Sequence, residues 1–327
     1  MRDRFILAAI QATPHYLDRA ASLEKAVKLI GEAGRTGACL AAFGETWLPG
    51  YAFFAFSESS VTRWEAAQTY IEQAVTIPGP ETDALCEAAR AANIDVLIGV
   101  VELDARTRGT VYCTMLAIGS EGRILGTHRK LKPTMEERIA WGEGRGDDLH
   151  VWERAYGRIS TLNCWEHQMM LPSYALISQG TQIHIASWPS GEPAIPPEAP
   201  NCLWSRKELL SRAFASQGAC YVIATGGLIS PESVPERFRS LAYEGAGGSM
   251  IIDPRGEVVA RAPLGEEAIL TFEADHSVIR AAKSACDIAG HYSRPDVFDL
   301  RVNGASLSTL QPIPISEDSE LKQSADR

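Results

Sequence analysis

The sequence predicts an α/β protein with mixed β-sheet, on three observations. Short apolar runs that are typical of buried strands alternate along the chain with segments in which apolar residues recur at helical spacing. The composition is that of an ordinary globular protein, with 45% hydrophobic and 22% charged residues among 327. A turn sequence late in the chain joins two short strands into a hairpin, which indicates antiparallel pairing beside the parallel strands.

The first part of the chain predicts alternating strands and helices. Residues 5–11 have the composition of a buried strand, and residues 38–43 predict a second one. Between them, residues 18–34 predict a helix, because four apolar residues fall on one helical face: Leu23, Ala26, Val27 and Ile30. The alternation continues with a helix near residues 81–92, strands at 96–101 and 111–118, and a Gly-Ser-Glu-Gly turn at 119–122.

The second half of the chain repeats this alternation. An apolar strand at residues 158–163 is followed by a helix at 171–179, a strand at 183–187, a helix at 203–217 and a strand at 220–225. Residues 249–252 and 257–261 then flank Asp253-Pro-Arg-Gly256, a turn sequence that joins antiparallel strands. The sheet is therefore expected to be mixed rather than purely parallel.

The domain organisation is expected to be simple. Residues 1–310 are predicted to form one domain, because neither an internal repeat nor an interdomain linker interrupts the first 300 residues. From residue 311 the composition turns to Pro, Ser, Glu, Asp and Lys with little apolar content. Residues 311–327 are therefore predicted to be a polar, flexible tail.

Charge and hydropathy exclude two kinds of partner. The net charge of −10 repels a phosphate backbone, and no run of Lys and Arg forms a basic stripe, so nucleic acid is not expected. No stretch reaches the roughly 18 uninterrupted apolar residues of a membrane helix. The N-terminal apolar run of about six residues is too short for a secretory signal. Neither a membrane span nor secretion is expected.

The cysteines predict a reducing, cytoplasmic location. Seven cysteines are an odd number, and no CxxC pair occurs. Neither HExxH nor clustered Cys and His ligands are present, so no metal and no cofactor is expected. The glycine-rich segments at 142–146 and 245–249 lack the GxGxxG spacing of dinucleotide-binding proteins and are interpreted as tight turns.

Cys164 is the strongest candidate for chemistry. It stands where the strand at 158–163 ends and a turn carrying Trp165, Glu166 and His167 begins. The ends of strands in α/β sheets are where sites usually lie, because the strand fixes the side chain while the turn exposes it to a crevice. The strand end thus favours Cys164 over the other cysteines, which have the surroundings of buried hydrophobic residues.

Two further segments supply partners for a reactive thiol. Glu45 is a single carboxylate among bulky apolar neighbours in the loop after the second strand, and burial of that kind raises a carboxyl pKa toward neutrality. Lys130 lies in a segment that mixes cations and carboxylates. A thiol of ordinary pKa, about 8.5, needs a base within hydrogen-bond reach and a nearby cation to react as thiolate. Glu45 and Lys130 are candidates for these roles.

Together these segments resemble the carbon-nitrogen hydrolase, or nitrilase, superfamily, which uses a Glu-Lys-Cys triad. The matching stretches occur in the family's order: Phe43-Gly-Glu-Thr-Trp-Leu-Pro-Gly-Tyr51, His128-Arg-Lys-Leu-Lys-Pro-Thr134 and Asn163-Cys-Trp-Glu-His167. The resemblance runs from Phe5 to about Val302. Three features resemble the nitrilase branch rather than the amidase branches: Cys-Trp-Glu itself, Glu137-Arg138 before Trp141-Gly142, and His291-Tyr-Ser-Arg-Pro-Asp-Val-Phe298.

The resemblance implies a role for each matched residue. Cys164 would be the nucleophile, Glu45 the general base and Lys130 the cation that stabilises the tetrahedral species. Glu137 corresponds to the family's second glutamate, and the backbone N–H of Trp165 would donate to the charge that develops on the substrate. Lys132 is left as a surface residue.

The resemblance also implies the fold and the reaction. The fold would be a four-layer α-β-β-α sandwich with two mixed sheets, assembled into homodimers and often into longer spirals. The substrate would be a small organic nitrile, hydrolysed to the carboxylic acid and ammonia through a covalent cysteine thioimidate and acyl intermediate.

Aromatic residues near these segments are candidates for an apolar substrate pocket. Tyr51, Trp165, Trp188 and Pro189 are the predicted substrate-binding residues, and the remaining aromatic residues of the Glu45 loop are Trp47, Phe53, Phe54 and Phe56. Packing in the core or in a subunit interface is an equally good interpretation of the aromatic residues. Ala52 stands where the family often has Pro, which leaves the stiffness of the loop open.

Several alternatives remain open from the sequence. The same triad could release the amide instead of the acid, as in cyanide hydratases, or hydrolyse aliphatic amides, because the partition depends on sub-ångström geometry. A catalytically silent scaffold of the same fold is the non-enzyme alternative. His167 as the base of a Cys-His pair is disfavoured, because such pairs normally bring the histidine from a distant part of the chain. The other histidines are interpreted as structural.

Overall fold

Two six-stranded β-sheets form the centre of the computed structural model, which describes residues 3–190, 206–241 and 245–304. The first sheet contains β1 (Arg4–Gln11), β2 (Leu40–Ala42), β3 (Asp95–Leu103), β4 (Val111–Gly119) and β5 (Arg123–Arg129). The second contains β6 (Trp152–Arg154), β7 (Gly157–Asn163), β8 (Ile183–Trp188) and β9 (Tyr221–Gly226). A small separate pair follows, β10 (Leu228–Ile229) and β11 (Gly245–Ala246). The chain then adds β12 (Met250–Ile252) and β13 (Val258–Arg261) to the second sheet and β14 (Ala268–Asp275) to the first.

Both sheets are mixed, as the sequence predicts. The strand order is β14-β1-β2-β3-β4-β5 in the first and β13-β12-β9-β8-β7-β6 in the second. In each, three consecutive neighbours run parallel, β1-β2-β3 and β9-β8-β7, and every other pair of neighbouring strands is antiparallel. The two sheets therefore share one architecture.

Four of the six helices in the described ranges cover the outer faces of the sheets. The helices are α1 (Arg19–Arg35), α2 (Ser60–Glu72), α3 (Pro80–Ala92), α4 (Met170–Ser178), α5 (Arg206–Gly218) and α6 (His276–Ala285). One apolar cluster joins α1 and α3 to the first sheet, and another joins α4 and α5 to the second. A third cluster fills the space between the sheets. The four-layer α-β-β-α sandwich is confirmed.

The central strands read as continuous apolar runs because both of their faces are buried. In β1, Leu7 and Ala9 face the second sheet, where they join Ile159 and Ile223 in one cluster, whereas the alternate residues pack under the helices. Burial of each of the Leu and Ile side chains contributes roughly 1.5–3 kcal/mol. This apolar packing holds the strand ends that carry the site.

Several elements differ from the sequence prediction. Helix α1 turns Ala26, Leu29 and Ile30 toward the core, whereas Val27 is 37% exposed, because the buried stripe is centred on small residues that the apolar pattern underweights. The spacing of apolar residues along the sequence did not predict α2, β5, β14 or α6. Strand β14 is only half-buried and α2 exposes Trp64, so neither shows a continuous apolar face.

Some expectations fall outside the described residues. These are the tail at 311–327, the end of the predicted domain beyond residue 304, and the first residues of the helix predicted at 203–217. Within the described ranges, every helix is either too short or too polar to cross a bilayer.

Candidate active site

Three loops that follow β2, β5 and β7 converge on one site. Glu45 lies three residues after the end of β2, Lys130 directly follows β5, and Cys164 directly follows β7. Strands β2 and β5 point in the same direction, because β4 is antiparallel to both β3 and β5. The carboxyl ends of these strands therefore bring the side chains together, as in other α/β sites.

The loop that carries Glu45 is fixed by backbone contacts to both sheets. The N–H of Phe43 donates to the carbonyl of Leu97 in β3, and the N–H of Glu45 donates to the carbonyl of Trp188 at the end of β8. Gly44 is required between them, since a Cβ there would lie 2.8 Å from the Trp188 carbonyl oxygen. The base is thus anchored on rigid strands.

Lys130 bridges two buried carboxylates. Its Nζ lies 2.7 Å from Oε1 of Glu45 and 2.7 Å from Oε2 of Glu137, and all three side chains are buried. The ring of Trp141 lies under the ammonium, with 5.3 Å between Nζ and the ring centroid. Two ion pairs and a cation–π contact therefore stabilise the positive charge of Lys130.

Cys164 completes the cluster. Its sulfur and the nearest carboxylate oxygens of Glu45 and Glu137 all lie within 4.8 Å of one another. Cys164 opens a 3-10 helix, Cys164–Gln168, and has a φ of 50°, in the left-handed region that non-glycine residues rarely adopt. Such strain at a strand end is typical of functional positions. The expected clustering of Glu45, Lys130 and Cys164 is confirmed.

The electrostatics of the cluster distinguish the three groups. Burial raises the pKa of the Glu45 carboxyl to about 7, although the charge of Lys130 opposes the rise. Burial and then the charge of Glu45 raise the pKa of the Cys164 thiol well above its ordinary value. The resting sulfur is therefore the thiol, and Glu45 is poised to take its proton near neutral pH.

Lys130 stays charged despite its burial. Desolvation alone would lower its pKa, but the charges of Glu137 and Glu45 outweigh this and raise the pKa well above the ordinary value. A permanent ammonium can stabilise negative charge on a substrate without reorganisation.

Glu137 is held by three donors. Besides Lys130, the hydroxyl of Tyr51 donates to Oε1 at 2.5 Å and the backbone N–H of Thr134 donates to Oε2 at 2.6 Å. Thr134 precedes the 3-10 helix Met135–Ile139, in which Glu137 lies. The second glutamate is therefore fixed as a neighbour of the ammonium, and Tyr51 contacts the site through it.

Cys113 is a site residue that the sequence did not indicate. Its thiol in β4 donates to Oε1 of Glu45 at 3.2 Å, the oxygen that also accepts from Lys130. Oε2 of Glu45 is buried and has no hydrogen-bond partner among the described residues. Oε2 is therefore the oxygen left to accept a proton. A lone Cys in an apolar strand gave no signal for this role.

Glu166 ties the lysine loop to the cysteine turn. Its carboxylate accepts from the backbone N–H groups of Leu131 and Asn163, at 2.8 and 2.7 Å, and pairs with His128 Nε2 at 3.0 Å. Burial would raise the pKa of Glu166, but the charge and hydrogen bond of His128 lower it. This buried pair fixes the spacing between Lys130 and Cys164.

The predicted substrate-binding residues surround the cluster. Tyr51 and Pro189 line a crevice of about 20 Å³ beside Glu45, space for a single water molecule. Trp165 is half-buried, with the guanidinium of Arg206 5.5 Å from its ring. Trp188 is buried at the end of β8, and its ring stacks on His167. Their contact with a substrate stays a prediction.

The remaining aromatic residues of the Glu45 loop divide between core and crevice. Trp47 and Phe53 also line the crevice, but Trp47 is almost fully buried and donates to the Ala12 carbonyl. Phe54 is buried against Tyr70, and Phe56 is half-exposed. Core packing, the alternative left open by the sequence, describes Phe54.

Histidines and Lys132 lie where the sequence suggests. His128, His184 and His276 are buried and hydrogen-bonded, and His167 bonds to a carbonyl and to another histidine rather than acting as a base for the sulfur. Lys132 is half-exposed and pairs with Glu143. Its surface placement is as expected.

The same cluster is the group of described residues whose ligand atoms are close enough to share a metal ion: Glu45, Glu137 and Cys164. However, the ammonium of Lys130 already bonds one oxygen of each carboxylate. A metal ion would have to displace or repel that ammonium, so the donor set does not fit a resident cation.

Comparison with known proteins agrees with this geometry. The family described as carbon-nitrogen hydrolase matches residues 6–284. The protein named Nitrilase 2, from an unknown prokaryotic organism, is 50% identical over 299 residues, which cover 91% of this chain and 92% of that one. The aliphatic nitrilase of Rhodococcus rhodochrous is 38% identical over 309 residues, which cover 92% of this chain and 83% of that one.

A solved structure supports the fold independently. Nit3 of Saccharomyces cerevisiae, a member of branch 10 of the nitrilase superfamily, matches with a TM-score of 0.70 at 20% identity. The match covers 89% of this chain and 97% of that one. At this identity the likeness concerns the fold alone. With the family match and the relatives above, the chain belongs to the carbon-nitrogen hydrolase family.

Proposed function

We propose that this chain is a nitrilase, which hydrolyses an organic nitrile to the carboxylic acid and ammonia. One observation carries the proposal: a thiol, a carboxyl with a pKa near 7 and a permanent ammonium converge in one buried cluster. The relatives named nitrilases, 50% and 38% identical over most of the chain, support the substrate class. The proposed roles are Cys164 as nucleophile, Glu45 as base and Lys130 as electrostatic catalyst.

The first step joins the sulfur to the nitrile carbon. Oε2 of Glu45 accepts the thiol proton as Cys164 attacks, and the S–C bond forms while one π bond of the nitrile breaks. The same carboxyl then returns the proton to the nitrogen, which gives a neutral thioimidate. Because the sulfur and the Glu45 carboxylate lie within 4.8 Å of each other, the proton can move as the S–C bond forms, and no free thiolate has to accumulate in the buried site.

Two water molecules complete the reaction. Glu45 accepts a proton from the first water as its oxygen adds to the thioimidate carbon, and passes that proton to the nitrogen. Transfer of the hydroxyl proton to the nitrogen through the same carboxylate then expels ammonia and leaves a thioester. The second water adds in the same way, and the C–S bond breaks to release the acid and restore the thiol. In sum, one nitrile and two waters give one acid and one ammonia.

Fixed charges stabilise the intermediates. Lys130 supplies an ammonium that its two carboxylate partners keep charged. The backbone N–H of Trp165, which also opposes the rise in the pKa of the Cys164 thiol, is proposed as a donor for the developing negative charge. Glu137 is proposed to hold Lys130 in place, since its Oε2 accepts a hydrogen bond from the ammonium. No part in proton transfer is assigned to Glu137.

Four residues are proposed to contact the substrate. Tyr51 and Pro189 line the crevice beside Glu45, and Trp165 follows the nucleophile. Trp188 is buried next to the Glu45 loop, since its carbonyl accepts from the N–H of Glu45. Aromatic and apolar walls suit the organic part of a nitrile.

We further propose that residues 1–310 form one catalytic domain, because a single apolar cluster joins strands of both sheets. A homodimer or larger homo-oligomer is proposed from the family. A cytoplasmic location is proposed as well, and the six cysteines in the described part of the chain, which form no disulfide with one another, are consistent with it.

The test is product analysis with aliphatic, aromatic and arylacetic nitriles. Ammonia and the acid should form in equal amounts with the wild-type chain, and neither should form with Cys164→Ala. Stoichiometric amide in place of acid would assign the chain to nitrile hydration, and hydrolysis of amides without hydrolysis of any nitrile would overturn the proposal.

A further inference from the structure

A chain of buried hydrogen bonds ends at the backbone of Cys164. The hydroxyl of Ser160 lies 2.8 Å from Nδ1 of His184, and Nε2 of His184 lies 2.9 Å from Nε2 of His167. Nδ1 of His167 then lies 2.7 Å from the carbonyl oxygen of Cys164. All of these side chains are buried.

The direction of every bond in this chain is fixed by its last acceptor. A carbonyl oxygen can only accept, so Nδ1 of His167 carries a hydrogen. Burial lowers the pKa of His167 to about 4, so the ring is neutral and Nε2 is an acceptor. His184 therefore donates from Nε2, and its Nδ1 accepts from the Ser160 hydroxyl. Each histidine is held in a single tautomer.

The acceptor belongs to the peptide group next to the nucleophile. The carbonyl of Cys164 and the N–H of Trp165 are the two ends of one planar amide, so fixing the carbonyl also fixes the N–H. Burial raises the pKa of the Cys164 thiol most strongly, and the Trp165 N–H opposes that rise. A hydrogen bond to the carbonyl also polarises the amide and strengthens its N–H as a donor.

The backbone at this point needs such support. Cys164 has a φ of 50°, and a non-glycine residue in this region stays there only where its surroundings hold it. The rings themselves are confined, because His184 stacks on Phe214 with 3.7 Å between centroids and His167 stacks on Trp188.

We propose that His167 is a positioning residue for the nucleophile, which holds the amide between Cys164 and Trp165, and that Ser160 and His184 keep it in the tautomer that can do so. This inference rests on the proposed function in naming Cys164 as the nucleophile. It differs from a Cys-His catalytic pair, because both ring nitrogens of His167 are engaged away from the sulfur.

The test compares His167→Ala with His167→Asn. The alanine variant loses the donor to the carbonyl, so kcat for nitrile hydrolysis should fall about 10- to 100-fold while KM changes less than about threefold. Alkylation of Cys164 by iodoacetamide, followed on its own peptide by mass spectrometry, should shift to higher pH. Asparagine places an N–H near the position of Nδ1 and should restore most of both quantities.

His276→Ala is the matched control. His276 is also buried and donates from its ring to a backbone carbonyl, that of Tyr156 at 3.0 Å, but it lies on α6 away from the site. This variant should lower the Tm and leave the pH profile of Cys164 alkylation unchanged. If it moved that profile as far as His167→Ala does, general loss of stability would explain both, and the positioning role would be wrong.

Ser160→Ala decides the question if His167→Ala does not fold. Without the Ser160 hydroxyl, His184 is less firmly held in the tautomer that donates to His167. Alkylation of Cys164 should therefore shift to higher pH, but by less than in His167→Ala. Wild-type alkylation and kcat in this variant would overturn the proposed chain. Alkylation needs no nitrile, so a chain that hydrolyses no nitrile would refute the proposed function while the positioning role is still decided.

Discussion

Lys130 and Glu45 form an ion pair with 2.7 Å between Nζ and Oε1, and both side chains are inaccessible to solvent. Removing two charges from water costs several kcal/mol per ion, which their attraction repays only in part. A buried pair of this kind is therefore poor evidence for stability. Its value lies in the reaction, because it holds a permanent cation beside a carboxyl whose pKa is near neutrality.

Replacement of Lys130 tests the electrostatic role. Lys130→Met leaves Glu45 and Glu137 as neighbouring carboxyls without their shared cation, and we expect kcat to fall by about 10³-fold or more. Lys132→Met is the matched control, since Lys132 is half-exposed and paired at the surface. It should retain wild-type kcat. Equal losses in the two variants, measured as ammonia release, would contradict the assignment.

Activity should depend on pH through Glu45. The working base is the carboxylate, and burial raises the pKa of this group to about 7. The rate kcat/KM should therefore be high above pH 7 and fall as the pH drops through that value, with about one proton taken up. A profile that stays flat from pH 8 down to pH 5 would exclude Glu45 as the base with a raised pKa.

Cys113 should affect the pH at which kcat/KM falls on the acid side, called the acid limb. Its thiol donates to Oε1 of Glu45 and thereby lowers the pKa of the carboxyl against the larger effect of burial. Cys113→Ala should therefore move the acid limb of kcat/KM to higher pH, and Cys113→Ser, which keeps a donor, should not. Cys220→Ala is the control, because Cys220 is buried in the outer core of the second sheet. A shift of the acid limb in Cys220→Ala as large as in Cys113→Ala would refute the specific contact.

Breaking the buried pair of His128 and Glu166 should destabilise the fold. Glu166→Gln leaves His128 without its counter-charge and should cost about 3–5 kcal/mol in the free energy of unfolding, measured with urea. Glu87→Gln breaks only an exposed pair with Arg90 and should cost at most about 1 kcal/mol. Comparable losses in both variants would contradict a special role for the buried pair.

The cost of Glu166→Gln should depend on pH. Burial alone would lower the pKa of His128, but the charge of Glu166 outweighs it and raises the pKa above 6.5, so this stabilisation is lost as the pH rises through the folded value. The pKa of Glu166 is lowered below 4.5, so its stabilisation is lost as the pH falls through that lower value. The difference in Tm between wild type and variant should be largest between about pH 4.5 and 6.5. A difference that grows steadily above pH 8 would contradict this.

The sequence predicts the triad because each member stands in a distinctive local motif, and Glu45 and Cys164 also follow apolar strands. Glu45, Lys130 and Cys164 could therefore be assigned one segment at a time, and the shared direction of the strands brings them together. The fold class followed from the same alternation of strands and helices.

Contacts that depend on strand register could not be read from the sequence. Ser160 and His184 meet because β7 and β8 pair in parallel with these two residues in register, although they are far apart along the chain. Cys113 reaches Glu45 across β3 for a similar reason. Which aromatic residues line the crevice likewise depends on side-chain directions that composition does not encode.

The proposed reaction requires that a nitrile becomes covalently bound to the sulfur of Cys164. The most direct test is peptide mass spectrometry of wild-type enzyme quenched in acid during turnover of a nitrile. We expect the acyl or thioimidate mass on the peptide that contains Cys164, and its loss in Cys164→Ala. The same mass on the peptide of Cys113 or Cys220, with ammonia still released, would exclude Cys164 as the nucleophile.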